Sequence, residues 1–179
     1  TLGAVQQLAE QGAPRAAELT ANLIEFLRAS MTEMRTEQVT LASEFGLVEA
    51  YLKVMKARLG DRLQFTVSLP ASLDQVGVPS MVLLTLVENA IKHGIEPALR
   101  GGEIVVSAYQ EGQDVRIRVV DSGVGMGELQ GSGDGLENVR RRLQLAFGDA
   151  AVLELRNGDG DGVVADILLP LSASAGSKA

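Results

Sequence analysis

The chain has 179 residues, of which 16 are Lys or Arg and 23 are Asp or Glu, so its formal charge is −7 and its pI is near 4.8. Such an acidic chain lacks the net basic surface that a general nucleic-acid-binding protein needs, and we expect no nucleic acid among its partners. A hydrophobic content of 46% suffices for a packed core. The lack of Cys excludes disulfides, thiolate zinc sites and a Cys nucleophile.

The N-terminal region predicts a helical hairpin over residues 1–36. Helices are expected over residues 1–11 and 14–34, and the break between them ends at Pro14, a residue typical of a first helical position. In the second helix a stripe recurs at alternating spacings of three and four: Ala16, Leu19, Leu23, Phe26 and Ser30. Because two helices cannot bury such stripes alone, we expect a partial dimerisation hairpin that pairs with a second copy. The alternative is that the hairpin packs on its own domain.

The region 37–171 predicts one α+β domain. Its expected elements are a strand at 38–41, a helix at 43–59, a strand at 63–69, a buried helix at 80–93, strands at 104–109 and 115–120, a helix at 136–147, and strands at 152–156 and 163–169. This order indicates a two-layer sandwich, in which a mixed sheet carries helices on one face. The two hairpins break the strict alternation that a doubly wound fold needs. Residues 172–179 are expected to form a disordered tail.

One polar cluster lies at the end of the buried helix, where Asn89, Lys92 and His93 follow mostly apolar residues. Their spacing of i, i+3 and i+4 places them on one face of an α-helix. An amide oxygen suits a hard cation such as Mg²⁺, and an ammonium suits phosphate oxygens. This pattern predicts a site, although a helix that merely reaches solvent at its end would give it too.

Two glycine-rich clusters follow. Asp121 ends a predicted strand and precedes Gly123 and Gly125, which would let a planar ligand lie close to the backbone while the carboxylate accepts a hydrogen bond. The alternative is a glycine-rich hairpin turn. Further along, Gly131 to Leu136 open a helix whose N-terminal amides would suit an anion. Neither cluster is the dinucleotide-binding fingerprint or the GxxxxGK[ST] phosphate loop.

In this order the segments VENAIKHG (87–94), DSGVGMG (121–127) and GSGDGLENVRRRL (131–143) resemble the Asn box and the two Gly boxes of a known ATP-binding domain. That domain is shared by gyrase, Hsp90, MutL and sensor histidine kinases. The sequences of these segments, together with KARLGDRLQF (56–65), are similar to those of the LytS-type sensor histidine kinases. The resemblance implies the gyrase/Hsp90/histidine kinase/MutL fold and an ATP-binding catalytic domain over residues 37–171.

The resemblance also implies roles for individual residues. Asn89 would coordinate the Mg²⁺ that bridges the ATP phosphates, with Lys92 and His93 beside the phosphates as the other catalytic residues. Asp121 would accept a hydrogen bond from the adenine amine, and Gly125 would leave room for the ring. The remaining ATP-binding residues come from the two Gly boxes, around a short lid at 126–133: Gly123, Gly131, Gly133, Gly135 and Leu136.

The implied activity is that of a protein-histidine kinase, which passes the γ-phosphate of ATP to a histidine and then to an aspartate of a response regulator. The family's HPHFLFN-like acceptor motif is absent, and Thr1-Leu2-Gly3 resembles the residues that follow it. We therefore expect a fragment truncated just after the acceptor, which binds ATP without phosphorylating itself. His93, inside the nucleotide site, is a poor candidate for the acceptor. The expected location is the cytoplasmic part of a bacterial inner-membrane sensor, whose membrane segment would lie upstream.

Three departures from the family pattern matter. Thr85 stands where hydrolysing relatives carry a water-activating Glu, Asp134 adds a negative charge beside the phosphates, and Gly162-Val163 replaces a common Gly-Thr. Two alternatives stay open: an ATP-binding anti-sigma or switch protein of the same fold, and a degenerate domain kept as a dimerisation scaffold. The amphipathic hairpin favours the kinase over the anti-sigma protein.

Overall fold

The computed structural model describes residues 13–33, 36–125, 134–158 and 160–171. Its α-helices are α1 (Ala13–Glu33), α2 (Leu41–Leu59), α3 (Val82–Asn89) and α4 (Asp134–Phe147), and a π-helix, Ala90–Ile95, continues α3. Its strands are β1 (Gln38–Thr40), β2 (Leu63–Ser68), β3 (Gly77–Pro79), β4 (Gly102–Glu111), β5 (Asp114–Asp121), β6 (Val152–Asn157) and β7 (Val163–Pro170). None of these helices is long and apolar enough to cross a membrane. The predicted helix 1–11 and tail 172–179 lie outside the described residues.

Five strands form one mixed sheet in the order β2-β4-β5-β7-β6. β2 runs parallel to β4, whereas the other neighbouring pairs are antiparallel. The turn between β4 and β5 is Gly112-Gln113, where Gly112 has a φ of 64°, a left-handed value that glycine adopts without steric cost. The predicted α+β sandwich is confirmed.

One face of the sheet is covered by helices. Side chains along each strand alternate between the two faces, so every second residue lies on the covered face. On β5 the alternate residues Val115, Ile117 and Val119 are fully or almost fully buried. Asp121 continues this alternation and therefore lies on the covered face. The apolar layer opposite comes largely from α3, whose buried residues are Val82, Leu83, Leu84, Leu86 and Val87.

Helix α1 packs on α2 of the same chain. This contact agrees with the alternative that the hairpin packs on its own domain. Leu19 is fully buried in the common core, and the rings of Phe26 and Tyr51 lie 5.6 Å apart. The other side of α1 exposes Ile24 and Met31, with 46% and 60% of their surface accessible. Pairing with a second copy through the hairpin stays a prediction.

The prediction of one α-helix over residues 80–93 is wrong at both ends. Pro79 ends strand β3, which pairs with β1 and had no sequence signal of its own. Met81 then adopts a φ of 63°, so the helix begins only at Val82. Beyond Asn89 the backbone widens into the π-helix, where the amide of Glu96 donates to the carbonyl of Ile91 over 2.9 Å.

A buried carboxylate fixes the start of α3. Glu44 of α2 is fully buried and accepts hydrogen bonds from the backbone amides of Met81 and Leu83, the latter at 2.8 Å. These amides have no partner within their own helix because they belong to its first turn. The negative charge also complements the positive end of the helix dipole. Glu44 therefore anchors α3 to α2.

Glu44→Gln is expected to destabilise the fold by about 1–3 kcal/mol, because the amide nitrogen replaces one acceptor and leaves a buried backbone N–H unsatisfied. Glu49→Gln is the matched control on the same helix. Glu49 is exposed and pairs only with Lys53 one turn away, so its loss should cost no more than about 0.5 kcal/mol. Urea denaturation of both variants measures the difference, and equal stabilities would contradict the anchoring role.

Candidate functional site

The backbone at Gly94, near the end of the π-helix, lies directly against Gly123, just after β5. A Cβ added at Gly123 would come within 2.2–2.4 Å of the backbone carbon, oxygen and Cα atoms of Gly94. The amide of Val124 donates to the carbonyl of Gly94 over 3.3 Å. Only two glycines allow so close an approach, which brings the Asn box and the first Gly box together.

Asp121 lies under this contact with only 5% of its surface exposed. Its Oδ1 accepts a hydrogen bond from the amide of Gly123 at 2.9 Å. Burial raises the pKa of this carboxyl above its usual range, and hydrogen bonds from the amides of Gly123 and Val163 offset only part of the effect. A Cβ at Gly94 would lie 2.5 Å from Oδ1, so glycine is also required at position 94, next to the carboxylate.

Asn89 is the last residue of α3 and faces the first turn of α4. A Cβ at Gly135 would lie 3.2 Å from Cγ2 of Thr85 and 3.8 Å from Nδ2 of Asn89. That Nδ2 is buried and has no hydrogen-bond partner among the described residues. An unpaired buried donor is costly in a folded protein, so its presence points to a group that binds there.

Lys92 and His93 are exposed on the π-helix. The expectation that they share one face with Asn89 was based on α-helical spacing, whereas the backbone after Asn89 forms a π-helix, so the shared face stays a prediction. Along the chain the two residues lie between Asn89 and Gly94, which both belong to the site. Single-turn π segments occur frequently at functional sites.

Between α3 and α4 runs a groove of about 190 Å³. Thr85 and Glu88 line its α3 wall, and Gly135 and Asn138 line its α4 wall. Burial raises the pKa of Glu88. Burial and the charge of Glu88 raise the pKa of Tyr51 on α2 to about 12. The α4 wall of the groove includes Gly135, which also faces Asn89.

These residues fit a nucleotide with its cation. The amide of Asn89 offers an oxygen of the kind that Mg²⁺ prefers and a nitrogen with no hydrogen-bond partner in the described ranges, and the N-terminus of α4 suits a phosphate. Leu136 is buried, with 8% of its surface exposed, and its role as a backbone donor to the phosphates stays a prediction. Gly131, Gly133 and the lid at 126–133 lie outside the described residues.

Two glycines that the sequence did not mark as site residues shape the pocket. Gly94 is the last residue of VENAIKHG and was given no role of its own, but it makes room for Asp121 and Gly123. Gly162 has a φ of 121°, and a Cβ there would come within 2.1 Å of the carbonyl oxygen of Asp121. Gly125, with a φ of 76°, lies near Gly162, so the turn between β6 and β7 also borders the site. No periodicity signals such contacts, because they join segments distant in the chain.

Residues 74–173 match the model of the histidine kinase-, DNA gyrase B-, and HSP90-like ATPase family. The chain belongs to this family. The predicted recognition is thereby confirmed, and family membership implies the use of ATP. Residues 1–63 also match the model of the histidine kinase family.

Two curated relatives are sensor kinases. The chain is 36% identical over 149 residues to the sensor histidine kinase BtsS of Escherichia coli K12, which covers 83% of this chain and 26% of the relative. It is 32% identical over 171 residues to the sensor histidine kinase/phosphatase LytS of Staphylococcus aureus Mu50, covering 88% and 29%. The chain thus spans little more than a quarter of these relatives.

Solved structures share the fold. The histidine kinase domain of the blue-light activated kinase of Erythrobacter litoralis EL346 superposes with a TM-score of 0.62 at 21% identity, over 86% of this chain and 75% of that one. The catalytic domain of histidine kinase ThkA gives a TM-score of 0.56 at 21% identity, over 74% of this chain and 94% of that one. Both support the mixed sheet with helices on one face.

Gly123→Ala is expected to destabilise the fold and to abolish nucleotide binding, because its Cβ would collide with the backbone of Gly94, which cannot rotate away. Gly46→Ala, in the middle of α2, is the opposite control. Nothing lies within 4 Å of a Cβ there, so alanine should stabilise the helix by about 0.5–1 kcal/mol. Thermal unfolding should shift in opposite directions, and a neutral Gly123→Ala would contradict the proposed packing.

Proposed function

We propose that this chain is the ATP-binding catalytic region of a two-component sensor histidine kinase. Such a kinase transfers the γ-phosphate of ATP to a histidine, from which a response-regulator aspartate receives it. The observation that carries the proposal is that Nδ2 of Asn89, which has no partner in the part of the chain that the structure describes, faces the first turn of α4, while Gly94 packs against the buried Asp121. The decisive test is titration of the chain with ATP, with and without Mg²⁺, by calorimetry.

In this proposal Asp121 recognises the base. A carboxylate only accepts hydrogen bonds when ionised, so it selects a ring with an exocyclic amine such as adenine. The amides of Gly123 and Val163 hold the carboxylate in place. Because the carboxyl is buried, a hydrogen bond from the ligand replaces one that water no longer supplies. Gly125 and Gly162 keep the neighbouring backbone free of side chains.

The phosphates would lie between Asn89 and the N-terminus of α4. The side-chain nitrogen of Asn89 has a hydrogen to donate, and its oxygen is a suitable ligand for Mg²⁺. The bound cation would neutralise charge on the β- and γ-phosphate oxygens. Lys92, exposed on the π-helix, supplies a further positive charge. Asp134, exposed in the first turn of α4, opposes phosphate binding by its charge.

Thr85, one turn before Asn89, supports transfer of the phosphate to a protein group over hydrolysis of ATP. The hydroxyl of Thr85 donates to the carbonyl of Met81 over 2.7 Å, and a hydroxyl in that state is no general base for water. Glu88, the nearest carboxylate along the helix, is rotated by about 100° from Asn89. This arrangement favours slow hydrolysis of ATP, so that the γ-phosphate is transferred to an acceptor residue and not to water.

The match of residues 1–63 to the histidine kinase family supports the kinase over an anti-sigma or switch protein of the same fold. The intact Asn89 and Asp121 support nucleotide binding over a degenerate scaffold. We further propose that the chain acts as part of a homodimer, with a response regulator as its partner. Its place in the whole protein would be on the cytoplasmic side of a membrane sensor.

Asp121→Asn should weaken ATP binding by about tenfold to a hundredfold, the range expected when a hydrogen bond to a charged group is lost. The fold should survive, because the amide oxygen can still accept from Gly123. Asp114→Asn, at the other end of β5, removes the same charge far from the pocket and should leave affinity unchanged. Calorimetry compares the two, and wild-type affinity in Asp121→Asn would refute the adenine contact.

Asn89→Ala should remove the Mg²⁺ dependence of ATP binding, because no other amide oxygen takes its place at the end of α3. Asn138→Ala removes a like side chain from the α4 wall of the groove and should retain that dependence. Titrations with ATP in excess Mg²⁺ and in excess chelator measure the ratio of affinities for each protein. A ratio in Asn89→Ala equal to that of the wild type would exclude Asn89 as the ligand.

A further inference from the structure

Arg142 connects α4 to the segment just before α3. Its Nη1 atom donates to the backbone carbonyl of Ser80 over 2.6 Å and lies 3.5 Å from the Ser80 hydroxyl. Ser80 is buried, with 5% of its surface exposed, whereas Arg142 is exposed to solvent although it lines the groove towards α3. A guanidinium bound to a carbonyl makes a charge-assisted hydrogen bond, which is stronger than one between neutral groups.

The anchor of this bond is fixed independently of α4. Ser80 precedes Met81, whose left-handed backbone and hydrogen bond to Glu44 hold the start of α3. The amide of Ser80 also donates to the carbonyl of Glu37 over 3.2 Å. Arg142 therefore attaches α4 to a point that two other hydrogen bonds already hold.

The two helices run antiparallel, and they touch at both ends. Arg142 reaches Ser80 at the start of α3, and Gly135, two turns earlier on α4, faces Thr85 and Asn89 near its end. A spacing of seven residues places Gly135 and Arg142 on the same face of α4. The groove between these ends means that side-chain packing does not fill the space between the helices.

We propose that Arg142 is a positioning residue for the nucleotide site. By holding the far end of α4 against Ser80, it sets the distance between the first turn of α4 and Asn89, where the phosphates would bind. Arg142 lines the far end of the groove, next to Ser80 and not next to Asn89, and it acts on the phosphate end alone. Asp121 and Gly123 belong to β5 and the loop after it, so the base pocket does not depend on this bond. The inference rests on the proposed binding of ATP.

The test compares Arg142→Gln with Arg141→Gln in the whole chain. Both variants remove one positive charge from α4, and Arg141 is exposed one residue away and rotated by about 100° from Arg142. Any general effect of charge on ATP binding is therefore common to both. Calorimetry with ATP and Mg²⁺ and competition with adenosine measure the phosphate and base contributions separately.

For Arg142→Gln we expect ATP affinity to fall about tenfold, as for the loss of one charge-assisted hydrogen bond, with adenosine affinity unchanged. Arg141→Gln should stay within about twofold of the wild type for both ligands, the size of a screened surface charge. Arg142→Lys keeps a charged donor and should recover part of the loss. This selective loss of ATP binding is a readout that a merely structural role would not give.

Equal loss of ATP affinity in the two glutamine variants would overturn the proposal, because charge alone would then explain it. Equal loss of ATP and adenosine binding in Arg142→Gln would overturn it too, since the whole site would be affected. If the wild type binds neither ligand, the proposed function fails and hydrogen exchange decides the role of Arg142. Faster exchange of the amides in residues 134–140 in Arg142→Gln alone would support it, and equal exchange in both variants would refute it.

Discussion

The backbone contact between Gly94 and Gly123 is the constraint on which the rest of the site depends. It lets the end of the Asn-bearing helix lie on the loop after β5, so that Asp121 is covered from above. A Cβ at Gly123 would collide with the backbone of Gly94, and a Cβ at Gly94 would collide with the carboxylate of Asp121. The base pocket and the phosphate end would then be too far apart to bind the same nucleotide. Two residues without side chains thus determine where the chemically active ones meet.

Helix α2 organises the surroundings of that contact. Its Glu44 binds the start of α3, and its Arg58 pairs with Glu96 just beyond the π-helix. Arg62, directly after α2, donates to the carbonyl of Ala98 over 2.8 Å in the same loop. The Asn-bearing segment is thus held at both ends by one helix. Because α1 packs on the other side of α2, the hairpin region and the nucleotide site share a single structural support.

The site is maintained at a cost to stability. Burial raises the pKa of Asp121, so the folded state binds this proton more tightly than the unfolded chain does. The stability associated with the protonated form is complete below the ordinary pKa of 3.8 and is lost as the pH rises through the raised value. Above that raised value the apoprotein therefore bears the cost of burying an ionised carboxylate. A ligand amine that donates to the carboxylate offsets that cost, which links folding to nucleotide binding.

The sequence by itself determined the order of the main elements, without β3, together with the family and the residue types of the site, because periodicity and glycine spacing are local properties of the chain. The alternation in β5 also placed Asp121 on the buried face. The tertiary structure alone decided how the segments meet. The π-helix after Asn89, the packing of Gly94 on Gly123, and the bond from Arg142 to Ser80 each depend on partners distant in sequence. The left-handed backbone of Met81 likewise follows from its hydrogen bond to Glu44 and not from any local preference, since methionine rarely adopts that conformation.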